Sequence, residues 1–158
     1  MDQAILRGAQ AELWQGLVHE AEQRVGIVLD ETHESYLVFV LLRYQCDDTL
    51  VARTQALDWF DAQSRCGTPR ADALRDVGDR CLLIAGLYPG LASRRRVGAD
   101  YFIDLGRGAY FEVAGASRNA YAALFEQLAR GYRELVCTLR AVRGSPQVQL
   151  PAWPVVRH

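Results

Sequence analysis

The chain has 158 residues, half of them apolar and 23% charged, and its 18 basic and 19 acidic side chains leave a formal net charge of -1. That balance excludes a disordered polyampholyte and a collagen-like repeat, and it supplies no global field for nucleic acid or anionic lipid. Every basic position is arginine, which removes Schiff-base, phosphate-loop and kinase lysines from consideration.

The first predicted element is an amphipathic helix over 3–24, with Leu6, Leu13, Leu17 and Ala21 near helical spacing and Gly26 as its stop. Asp30 is expected to cap a second helix over 31–45. The centre of this helix, Tyr36 through Leu42, is apolar on all sides and must be enclosed by neighbours. Asp47 or Asp48 starts a third helix through Ser64. A fourth runs over 69–87, opened by Thr68-Pro69 and striped by Leu74, Val77, Cys81, Ile84, Ala85 and Tyr88.

Residues 91–98 read as a connector, after which Asp100 is expected to cap a fifth helix over 101–114. The final helix opens at Ser117 and runs to 143. Its seam is Tyr121, Phe125, Leu128, Tyr132, Leu135, Leu139 and Val142, and Gly131 is expected to kink it at most. Three prolines keep the remaining tail from being helical. The expected fold is therefore all-α: a single-domain bundle of about six helices over 1–143, with an extended tail over 144–158 that packs on the domain or on a partner subunit.

The N-terminus lacks the basic start and apolar core of a signal peptide, and its longest apolar run, Tyr36 to Leu42, is far short of the ~20 residues that cross a bilayer. A cytoplasmic protein without a membrane partner is the expectation. Cys46, Cys66, Cys81 and Cys137 contain no C-x-x-C pair, and reduced thiols are expected. Cys46 and Cys66 flank a predicted helix about 24 Å long, too far apart to bridge. Cys81 and Cys137 are expected on apolar helical faces.

The strongest polar constellation is Arg75-Asp76-Val77-Gly78-Asp79-Arg80, set beside Asp104 and Arg107 of the fifth predicted helix. Asp76 and Asp79, three apart, lie on neighbouring turns, where they suit a shared proton, a metal or an arginine clamp. The leading expectation is a structural ion pair between the helices over 69–87 and 101–114, with Asp104 and Arg107 as partners. The alternatives are a plain solvated face and a ligand-binding or enzyme site built from Asp76, Asp79, Asp104 and Arg107.

No metal site is assigned. The helical di-metal pattern needs Glu-x-x-His, and the residues three before His19 and His33 are Gly16 and Asp30. Asp30, His33 and Glu34 would hold a cation only weakly. No nucleophile or cofactor motif is present, and Gly106-Arg107-Gly108 lies mid-helix rather than after a strand, so it reads as close helix packing, as do Gly78 and Gly86. Arg94, Arg95 and Arg96 suit the C-terminal end of a helix or an acidic partner. Trp153 in the tail and Tyr132 in the seam are the expected contact residues of a homodimer or of an unknown protein partner.

The stretch from Arg75 to Gly115 carries Asp-x-Gly-Asp at 76–79 and Tyr-Phe-x-Asp-Leu-Gly-Arg-x-Ala-Tyr at 101–110. It is similar to a family of bacterial all-helical proteins to which no activity is attached. The resemblance covers about a quarter of the chain and implies a helical fold and a bacterial source, but no residue roles. The function expected from these features is protein interaction or self-association without catalysis.

Overall fold

The computed structural model describes residues 3–44, 59, 61–63, 67–90, 98–146 and 148. Among these residues the regular structure is entirely helical: α1 (Gln3–Val25), α2 (Glu31–Tyr44), α3 (Gly67–Leu87), α4 (Ala99–Ala116), α5 (Asn119–Arg130) and α6 (Tyr132–Arg143). The third predicted helix falls mostly outside the described residues, although Trp59 and residues 61–63 are helical. Arg94, Arg95, Arg96, Trp153, Cys46 and Cys66 also lie outside them.

α1 ends because Gly26 adopts a left-handed φ of 71° and lets the Ile27 N–H reach back 3.1 Å to the Glu22 carbonyl, which closes the last turn. Asp30 caps α2 as expected, its Oδ1 accepting the His33 N–H at 2.8 Å. α4 departs from expectation at its start, because Gly98 is the N-cap and Asp100 lies in the first turn, where its charge suits the helix dipole. The last predicted helix is divided at Gly131 into α5 and α6. The Gly131 N–H still bonds the Gln127 carbonyl at 2.9 Å and its own carbonyl accepts from Leu135 at 3.1 Å, but its φ of -95° and ψ of 17° turn the backbone between them.

α3 is the centre of the packing. Its apolar stripe, Leu74, Val77, Cys81, Ile84 and Ala85, is buried along the whole length. α4 lies antiparallel to it, since Arg70 meets Glu112 near one end while Cys81 approaches Gly106 further along. α6 runs alongside it in the same direction, as Tyr132 reaches Gly78 and Leu139 meets Gly86. Gly78, Gly86 and Gly106 are the close-approach glycines: an added Cβ would collide with Tyr110, Leu139 and Tyr132 respectively. Gly108 faces open space and does not share that role.

The seam of α5 and α6 is core: Phe125, Leu128, Tyr132, Leu135, Leu139 and Val142 are fully buried, whereas Tyr121 at its beginning is exposed. α1 packs against α2 and against α6, where Arg24 donates to the Ala141 carbonyl at 3.2 Å. Leu13 and Cys137, expected on apolar faces, are exposed instead. On α2, Leu37, Val38, Val40, Leu41 and Tyr44 are enclosed, but Phe39 is not. No described helix is long and apolar enough to cross a membrane.

Candidate functional site

Asp79 is the polar centre of the molecule. It lies on the fourth turn of α3, one residue past the glycine that lets Tyr110 of α4 come close, and its side chain is wholly buried. Two phenols donate to its Oδ1, Tyr36 of α2 and Tyr110 of α4, each at 2.6 Å. Tyr132 of α6 donates alongside them to the Gly78 carbonyl at 2.8 Å. The rings of Tyr110 and Tyr132 meet edge to face with centroids 5.4 Å apart, the arrangement that ring quadrupoles favour.

The outer half of the cluster is ionic. Arg43 of α2 pairs with Asp76 Oδ1 at 2.7 Å, and its other terminal nitrogen lies 3.9 Å from Asp79 Oδ2. Tyr44 donates to the same Asp76 oxygen at 3.0 Å. The Tyr44 ring is faced by two guanidinium groups, Arg43 at 5.2 Å and Arg80 at 5.1 Å from its centroid. Arg75 reaches the Tyr121 hydroxyl of α5 at 3.4 Å. α2 thus joins α3 through long polar side chains rather than through close backbone packing.

Burial dominates the electrostatics. It pushes Asp79 up to about 6, against the downward pull of the two phenol hydrogen bonds and of the charges on Arg75 and Arg43. Burial, reinforced by the Asp79 charge, raises Tyr36 and Tyr110 far above the ordinary phenol range, so both remain protonated donors at any physiological pH. Asp79 Oδ2 is buried and accepts no hydrogen bond from the described residues.

The structure separates the residues that sequence patterning grouped. Asp76 and Asp79 belong to the cluster. Asp104 and Arg107 do not: Asp104 is exposed on the outer face of α4, and the Arg107 guanidinium lies 5.9 Å from the Phe111 ring centroid on that same helix. The buried face of α4 carries Phe102, Ile103, Gly106, Ala109, Tyr110 and Val113. The mates of Asp76 and Asp79 therefore come from α2 and, for Asp79, also from Tyr110 of α4, while Arg70 and Glu112 form an ion pair between α3 and α4 at 3.3 Å. Tyr132, expected at a contact surface, is fully buried and offers nothing to a partner subunit.

Tyr36, Arg43, Tyr44 and Tyr110 are the members that patterning missed. Their signal lay in polar-tipped residues within apolar runs, since Tyr hydroxyls enclosed in a core must find acceptors.

No family model matches the chain, and neither a curated protein nor a solved structure matches it at a significant level.

Proposed function

We propose that the protein is a non-catalytic helical module that self-associates through an aromatic strip on α2 and α5. The observation that carries this reading is a chain of four rings with exposed ends. Phe39 meets Tyr36 at 5.9 Å, Tyr36 meets Phe125 at 5.5 Å, and Phe125 meets Tyr121 at 4.8 Å between centroids. Phe39 is 46% exposed and Tyr121 41%. Aromatic residues and arginine are the side chains that concentrate binding energy at protein interfaces.

The occupant we assign is a second copy of the chain. The polar residues near the strip, Arg43, Arg75 and Asp76, carry both signs of charge. A two-fold interface needs that self-complementarity, because each copy must supply both halves of every pair. The Tyr-Asp-Arg cluster beneath then acts as the scaffold that fixes the strip on the bundle.

Sedimentation equilibrium of the full chain between about 1 and 100 µM tests this reading. Dimer in that range, lost in Phe39→Ser and in Tyr121→Ser, supports it. Monomer throughout overturns it.

A second reading is favoured by one observation, the buried Asp79 Oδ2 behind Arg43 that accepts no hydrogen bond from the described residues. A small cationic or hydrogen-bond-donating ligand that displaced Arg43 would find a carboxylate held near neutrality, the kind of group used for proton transfer. Asp76 and Asp79 remain its candidate residues. Thermal-shift screening with such ligands separates the two readings, since a ligand held by the native state raises the melting temperature.

A further inference from the structure

The α1–α2 corner brings together three groups that no part of the preceding function uses. Glu22 lies in the last turn of α1, where its carbonyl accepts the Ile27 N–H and its side-chain Oε1 accepts the Leu29 N–H at 2.7 Å. Asp30 then caps α2 and fixes its first turn, from which Glu34 faces back towards α1. His19 Nδ1 lies 3.3 Å from Glu34 Oε1 and 3.8 Å from Glu22 Oε2, and one donor atom from each of the three residues lies within 4.8 Å of the others.

An independent observation points to a ligand between them. The Glu22 side chain is only 7% exposed, and its Oε2, aimed at this point, is buried and meets no hydrogen-bond donor among the described residues. Two carboxyl groups so placed favour a cation between them.

We propose that His19, Glu22 and Glu34 form a binding site for a divalent transition-metal ion of the zinc type. One imidazole nitrogen and two carboxylate oxygens make a mixed donor set of the kind zinc accepts. Ligands at about 2.0–2.1 Å on a tetrahedral centre lie ~3.3 Å from one another, which is the His19 to Glu34 separation. His19 is 63% exposed, so water completes the coordination from the outer side. The ion would bridge Glu22 and Glu34 and staple α1 to α2. The site escapes a search for Glu-x-x-His because the order on α1 is reversed, His19-x-x-Glu22, which shares a helix face equally well.

The test is calorimetric titration of zinc chloride into the full chain at about pH 8, because protons compete with metals for such ligands. The expected result is one ion per chain with a dissociation constant of about 10 µM or tighter, weakened at least ~10-fold in His19→Ala and in Glu34→Gln. His19 is exposed, so its removal leaves the core intact, and circular dichroism verifies this. Nitrogen NMR shifts of the His19 ring should move on zinc addition in the wild type. Absence of zinc uptake by the wild type overturns the proposal. So does undiminished affinity in folded His19→Ala, or binding that survives this substitution and disappears when the cysteines are blocked.

Discussion

Tyr110 donates its phenolic hydrogen to Asp79 across 2.6 Å at a point where both side chains are fully buried. The approach is possible because Gly78 leaves out the side chain that would occupy the space of the Tyr110 ring. A carboxylate deep in a core is costly unless its lone pairs are taken up. Here α2 and α4 each contribute a phenol to the same oxygen, so one aspartate fixes the mutual placement of three helices.

Removing the acceptor should therefore cost more than blunting its charge. Asp79→Ala leaves the Tyr36 and Tyr110 hydroxyls without their acceptor, and we expect a loss of about 2–4 kcal/mol in chemical denaturation. Asp79→Asn keeps an acceptor oxygen and removes the buried charge. It should lie within about 1 kcal/mol of the wild type at pH 7.5, and a larger loss would show that the charge itself holds the cluster.

The elevated Asp79 fixes the sign of a pH effect. A carboxyl at about 6 in the folded chain and near 3.8 when unfolded binds its proton more tightly in the native state. Its contribution to stability is fully present below about pH 4 and is lost as pH rises through about 6. The difference in unfolding free energy between Asp79→Asn and wild type should shift in favour of the variant across that interval. A difference that stays constant from pH 4 to 7 would refute the assignment.

The two glycines of Gly106-Arg107-Gly108 should behave oppositely. Gly106→Ala drives a Cβ into the Tyr132 hydroxyl and to 2.8 Å from the Cys81 Cβ. We expect a net loss of about 1–3 kcal/mol even after the ~1 kcal/mol that alanine adds to a helix. Gly108→Ala meets nothing within 4 Å and should raise stability by up to ~1 kcal/mol. Thermal melts of the two variants provide the comparison.

Asp104→Ala and Arg107→Ala should each change stability by no more than about 0.5 kcal/mol, because neither side chain enters the core. Arg43→Ala should cost more than either, since it withdraws the cation from Asp76 and Asp79 together. Equal effects of the three substitutions in urea denaturation would contradict the placement.

Periodicity made much of the fold legible. The stripe from Leu74 to Ala85, the Asp30 cap and the Gly26 stop could be read directly, because each depends on local spacing or on the backbone preferences of one residue. It failed where rotation about a helix axis mattered. α4 is apolar on most sides, so its sequence did not determine which face would turn inward, and the charged pair at 104 and 107 stayed outside while Gly106 and Tyr110 took the interior. The same ambiguity hid Phe39, the one exposed aromatic in the apolar centre of α2.

By itself the sequence determined a helical chain, most helix boundaries to within a residue or two, and the presence of Asp76 and Asp79 on successive turns of one helix. The tertiary structure alone decided their partners, since Tyr36 and Tyr110 lie 43 and 31 positions from Asp79. The reason is physical. Helical spacing specifies which side chains share a face, whereas the helix that covers this face is chosen by close packing against glycines and by the need of every buried hydroxyl and carboxylate for a partner.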